Sequence, residues 1–202
     1  MPEKANLEPP LSTRDRILAA ARELFSAHGF KGTTTASIAR HAEVNEALIF
    51  RHFPAKKDLY AAILRDKLED ERTTRIIKAA ECPKITAEEA LRLVATRFAE
   101  SADPVFLRLY YHSALEGHEL ASEFYRQFVS RLISLVEQLI SRGIREGSFR
   151  EVDPLTAAHA FTGMLRSYCL THELFPGHTI NLNNVDAAQA FCDLFIQGIR
   201  KT

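Results

Sequence analysis

Apolar residues recur at helical spacing along almost the whole chain, and polar capping residues punctuate them. Ile17, Ala21, Leu24 and Phe25 stand at i, i+4, i+7 and i+8, behind a Ser12/Asp15 capping pair and ahead of a stopping Gly29. Thr34 or Thr35 caps a second short helix that faces inward through Ile38, Ala39 and Ala42. Asn45 caps a third, which buries Ile49 and Phe53 before Pro54. This pattern predicts a three-helix head over 12–57, preceded by a flexible arm over 1–11.

From Lys56 the run Leu59, Ile63, Leu64, Leu68 continues into the charged stretch LRDKLEDERTTRIIKAA, predicting a long, solvated helix that Cys82, Pro83 and Lys84 end. Thr86 with Glu89 opens another helix, Asp103-Pro104 restarts the chain, and Gly117 divides that helix from the next. The next predicted helix spans about Glu119 to Glu146, with Phe124, Phe128, Leu132, Leu135 and Leu139 on one face and Gly147 beyond its end. Asp153 and Pro154 begin a helix reaching about Leu174, with Leu155, Ala158, Phe161, Leu165, Tyr168 and Cys169 inward. The last helix, about Asn184 to Arg200, repeats Ala188, Phe191, Phe195 and Ile199. No alternating strand pattern and no internal repeat interrupts this, so the fold class is all-α, a small head on a helical body over 58–202.

Composition adjusts this picture at three points. Lys plus Arg and Asp plus Glu each total 26, so the net charge is zero, yet 12–57 holds eight basic residues against four acids. The head is therefore polarised within a neutral chain. Cys82, Cys169 and Cys192 are odd in number and far apart, which suits free thiols in a reducing compartment better than a disulfide or zinc framework. No stretch approaches the ~20 apolar residues of a membrane span, and the start of the chain has no apolar leader, so the expectation is a cytoplasmic protein with no membrane partner.

Two helices too short to stand alone are usually there to present one of them. With Ile49 and Phe53 inward, Glu46, Ala47, Leu48, Phe50, Arg51 and His52 turn wholly or partly outward. Apolar Phe50 and Leu48 suit thymine methyls and sugars, Arg51 a guanine edge or a phosphate, and Glu46 a cytosine amino group. Thr34, Thr35, Asn45 and Lys56 stand at helix starts, where backbone N–H groups and side chains serve phosphates.

The segment GFKGTTTASIARHAEVNEALIFRHFPAKKDL, with Ile17 through Phe25 before it, closely resembles the tetracycline-repressor (TetR) family of bacterial regulators. The resemblance rests on Gly29-Phe30, Thr33-Thr34, Ile38-Ala39, Ala42 with Val44, Ile49-Phe50, His52-Phe53, Lys56 and Leu59. It is strong over the first third; beyond it, only length, helix count and the Asp-Pro-started helix match. It implies about nine helices, a homodimer through helices 154–174 and 184–200, a double-stranded palindromic DNA operator and a small-molecule effector, with no cofactor, metal or catalytic residue. Phe50 stands where the family usually has a phosphate-holding Tyr. Glu43 and Ala47 replace glycines of the usual pattern, and Glu43 is expected to need a positive φ.

For the effector, Phe98, Phe106, Tyr110, His112, Phe128, Phe161, Leu165, Tyr168 and His172 are the candidate pocket residues, with Arg108, Glu116 and Arg166 as further polar candidates. They suggest a small apolar or weakly acidic ligand. Small residues at 157, 158, 160, 163, 187, 188 and 190 permit the close helix approach a dimer needs. Two alternatives stand beside this reading: a head that docks another protein, and a metal-dependent enzyme using His112, His118, His159, His172 and His178.

Overall fold

The computed structural model describes residues 12–68, 78, 80, 82, 84–117, 119–175, 177 and 180–201. The expected N-terminal arm, most of the charged run after Leu68, His118 and His178 lie outside them. Nine helices can be bounded among the described residues: α1 Thr13–Gly32, α2 Thr35–His41, α3 Glu46–His52, α4 Lys56–Leu68, α5 Ala87–Glu100, α6 Pro104–Leu115, α7 over 119–145, α8 Pro154–Leu174 and α9 Asn184–Ile199. The fold is all-α, with a helix-turn-helix head and a helical body; among the described residues the sole β feature is a bridge between Phe149 and Arg200.

Short polar side chains set the helix starts, as the spacing predicts. Ser12 Oγ accepts from Asp15 N–H, Asp103 from Phe106 N–H and Asp153 from Thr156 N–H, each aspartate with proline next in the chain. Thr34 with Ser37, and Thr86 with Glu89, form reciprocal capping boxes. Each such cap satisfies backbone donors that the first turn leaves open and is worth about 1 kcal/mol. Gly29 differs from its expected role: at φ 71° it kinks α1, which then runs on to Gly32.

The apolar faces converge on two main cores. The head core joins Ile17, Ala21, Phe25, Ile38, Ile49, Phe53, Leu59 and Tyr60 with Phe106, Leu109 and Phe124 of the body helices. Phe25, Phe30 and Tyr60 interlock there with ring centroids 4.9–5.8 Å apart, contacts worth about 0.5–1.5 kcal/mol each beyond area burial. The body core joins α5, α8, α9 and the second half of α7 through Leu91, Val94, Val136, Ile140, Phe161, Leu165 and Ile196.

Two inward assignments change. The helix at 119–145 has no single face, because a π-helical turn, Tyr125–Val129, adds a residue to its winding. Phe124 therefore packs in the head core, while Leu135 and Leu139 pack with Ile133, Val136 and Ile140 in the body core. Leu155, expected inward, is exposed, because position 155 is off the 158/161/165 stripe that faces α7 and α9.

Candidate nucleic-acid interface and effector cavity

The turn between α2 and α3 is fastened from inside. Arg16 Nη2 donates to the carbonyls of Ala42 (2.5 Å) and Glu43 (3.0 Å), and Ala42 is buried beneath it. Glu43 sits at φ 53°, the one non-glycine residue with positive φ among the described residues. A side chain there costs roughly 1–2 kcal/mol, and the Arg16 clamp opposes that cost. Sequence reading foresaw the strain at Glu43 and missed Arg16, because the clamp spans 26 residues and obeys no local spacing.

Beyond the turn, Asn45 Oδ1 accepts from Ala47 N–H at 2.9 Å, and Ile49 and Phe53 anchor α3 in the core. The opposite face is outward: Phe50 is 48% exposed, Ala47, Arg51 and His52 are exposed, and Leu48 is half-buried. Thr35 Oγ1 donates to Glu46 Oε1 at 2.6 Å, so these two side chains lock the starts of α2 and α3 together. Arg14 lies over the Phe53 ring at 5.6 Å and, with exposed Arg40, Arg51 and Lys57, adds basic groups around α3.

Lys56 departs from expectation. Its Nζ donates to the carbonyls of Phe30 (2.7 Å) and Thr33 (2.8 Å) and sits 4.3 Å from the Phe30 ring centroid. Burial lowers its pKa, and the Glu116 carboxylate opposes that shift. It is a tie between α4 and the end of α1 beyond its kink, not an outward phosphate ligand, because two backbone carbonyls converge on it.

One body helix links the head to a cavity. On one side of α6, Tyr60 Oη donates to Leu109 O at 2.9 Å, Arg22 pairs with Asp103, and Glu116 approaches the Gly29–Lys31 turn. On the other side lies an apolar cavity of about 80 Å³, lined among others by Phe98, Phe106, Leu107, Tyr110, Tyr111, Phe124, Phe128 and Arg166.

Of the nine pocket candidates, the structure gathers Phe98, Phe106, Tyr110 and Phe128 around this cavity. His112, two residues from Tyr110, falls on the opposite face of α6 beside Gly29. Phe161 and Leu165 belong to the packed body core. Tyr168 donates its hydroxyl to Leu182 O at 2.6 Å, and His172 is exposed beyond it. Arg108, also considered, pairs with Glu173 at 2.6 Å on the surface. Among the described residues no group of three or more His, Cys, Asp or Glu is placed to hold a metal, and no helix is long and apolar enough to cross a membrane.

The model of the bacterial regulatory proteins of the tetR family matches residues 17–63, and that of the tetracyclin repressor-like C-terminal domain matches residues 87–191. The second match covers the body, where a single sequence offers no motif. The nucleoid occlusion factor SlmA of Aliivibrio fischeri (strain MJ11) is 29% identical over 162 residues, covering 77% of this chain and 82% of that protein. The ketosteroid transcriptional regulator KstR2 of Mycobacterium tuberculosis has the same fold, with a TM-score of 0.75 at 20% identity over 96% of this chain and 98% of that one. So does the regulator FadR of Bacillus subtilis, solved with stearoyl-CoA, at a TM-score of 0.73 and 21% identity over 92% and 98%. With the helix-turn-helix and the body domain both matched, the chain belongs to the TetR family of DNA-binding bacterial regulators.

Proposed function

We propose that this protein is an effector-responsive repressor that binds a palindromic operator as a homodimer and leaves it when a small ligand enters the α6 cavity. The observation that carries the reading is α6 itself, which lines the cavity with one face and holds the head by Tyr60, Arg22 and Gly29 with the other. A ligand that fits only one position of α6 shifts the balance of head positions by its differential affinity, and by no more than that.

Ala47, Leu48, Phe50, Arg51 and His52 are the proposed major-groove contacts. Thr34 and Asn45 serve the phosphates, with Arg14, Arg40 and Lys57 in the place first given to Lys56. Thr35 and Glu46 act as a brace between the helices. Phe50 supplies apolar contact at a position where no hydroxyl is available. For the homodimer, Leu155, Leu174, Phe175, Ile180, Leu182 and Leu194 expose large apolar side chains on α8, α9 and the loop between them. Two such faces closing on each other cover that surface.

Selection of random duplex DNA by the purified protein tests this directly. The expected outcome is an enriched palindrome whose binding weakens with salt, with a slope of log K against log salt of about −5 for roughly three phosphates per head. Arg51→Gln should abolish binding. No enrichment and no salt dependence would sink the reading in favour of a head that docks protein. Light scattering that finds a monomer at micromolar concentration would remove the two-headed arrangement.

A further inference from the structure

The cavity beside α6 is lined mainly by apolar side chains. Four phenylalanines, Phe98, Phe106, Phe124 and Phe128, form its wall, and Phe124 lies 5.0–5.3 Å, centroid to centroid, from Phe106, Tyr110 and Phe128. Its polar lining residues include Arg166, Tyr110, Tyr111, Asp103 and Ser101; Ser101 Oγ donates to Phe98 O at 3.0 Å. Asp103 is satisfied: one carboxylate oxygen caps Phe106 N–H and the other pairs with Arg22. Arg166 is different. Among the described residues it has neither an ion pair nor a hydrogen bond, and the same holds for the hydroxyls of Tyr110 and Tyr111.

Burial raises the pKa of both tyrosines; Tyr111 adds to the rise at Tyr110, and the Arg166 charge works against it at both. Both hydroxyls are therefore neutral donors close to an uncompensated guanidinium. A half-buried cation and two neutral donors, all without a hydrogen bond or ion pair among the described residues and all lining an aromatic-walled cavity, make a site with an excess of one positive charge. Such a set of donors complements a planar oxyanion, which accepts from a guanidinium fork and from hydroxyls at once.

We infer that the ligand of this cavity is an amphipathic carboxylate, its carboxyl group held by Arg166 with Tyr110 and Tyr111 and its apolar chain or ring lying against Phe98, Phe106, Phe124 and Phe128. The inference rests on the cavity being the effector site. About 80 Å³ is far below the ~300–1,000 Å³ of a typical occupied ligand pocket, so the ligand enters by parting the walls. The π-helical turn that contributes Phe128 and Val129 is the wall built from the least regular backbone.

The test uses the full chain and three probes with one ten-carbon tail: decanoate, decan-1-ol and decyltrimethylammonium, followed by calorimetry and by thermal shift below their micelle concentrations. Decanoate is expected to bind at least ten times more tightly than decanol, and the ammonium compound not at all. Arg166→Gln should bring decanoate down to the decanol level while leaving decanol binding unchanged, and Tyr111→Phe should reduce the preference by a smaller factor. Equal binding of decanoate and decanol, or an Arg166→Gln variant that keeps the preference, overturns the carboxylate inference and leaves the cavity as an effector site. No binding of any probe, by a protein that still binds its selected DNA, overturns the cavity itself as the effector site.

Discussion

The head core and the cavity region share α6, yet they are finished in opposite ways. In the head, long polar side chains end on backbone carbonyls: Arg16 on Ala42 and Glu43, Lys56 on Phe30 and Thr33, Tyr60 on Leu109, and Thr33 Oγ1 on Leu24 and Gly29. Around the cavity, the polar groups Arg166, Tyr110 and Tyr111 are left without such ends among the described residues. A fully satisfied network permits one arrangement, whereas groups awaiting a partner tolerate several. A surface that must match the spacing of DNA grooves needs the first kind, and a site that must answer a ligand needs the second.

Removing a large side chain from each region is the hardest test of this contrast. Phe25→Ala, in the packed head core, is expected to cost about 3–5 kcal/mol by chemical denaturation, and Phe128→Ala, at the cavity wall, less than half of that. Equal losses would mean that the cavity wall is as tightly packed as the core. At the junction, Gly29→Ala meets two obstacles, a φ of 71° and a Cβ that would stand 2.5 Å from Glu116 Oε1. A loss of about 3 kcal/mol is expected, and Glu116→Ala in the same chain should recover part of it. If the double variant is no better than the single one, the contact is not what resists the substitution.

Lys56→Met separates holding from reading. It should cost about 2 kcal/mol of stability through two lost charged hydrogen bonds, whereas Arg51→Gln should leave the unfolding midpoint in place and remove DNA binding. A Lys56→Met protein of native stability that no longer binds DNA would return Lys56 to the interface.

The body core answers to alkali. Burial pushes the Cys192 thiol up to about 12 and the Cys169 thiol to about 11, against an ordinary 9.0. Between those values the unfolded chain releases protons that the folded chain keeps, so stability present below pH 9 is lost as pH rises. Near pH 10 the loss should be about 1.4 kcal/mol for each thiol, read as a lower urea midpoint, and Cys192→Ala should roughly halve it. An unchanged midpoint would mean that water reaches the thiols. The smallest effect is a gain: Glu43→Gly should stabilise the head by up to ~1 kcal/mol as the positive φ is relieved. A loss instead would show that the Glu43 side chain contributes more than its strain removes.

Legibility in the sequence followed the range of the interactions. The caps at Ser12, Thr34, Asn45, Thr86, Asp103 and Asp153 were readable because a cap and its target lie within three residues. The exposure of Phe50 and the positive φ of Glu43 were readable too, the one from helical period and the other from the tight turn. The cavity was only partly so. Composition marked the aromatic residues of the body, but which of them share a space depends on the faces that α6, α7 and α8 turn to each other. His112 and Tyr110 are two residues apart in the chain yet on opposite sides of a helix, and Arg166 gains its role from tyrosines more than 50 positions away.

The sequence alone therefore determined the all-α class, the helix boundaries set by caps, and a short third helix presented outward, because each depends on period and local hydrogen bonding. Only the tertiary structure decided that Lys56 ties the head together, that Arg16 holds the turn, that a π-helical turn divides α7 between two cores, and that Arg166 meets two tyrosines at an apolar cavity. Those outcomes are set by which surfaces meet when distant helices pack, and packing is a property of all the faces together.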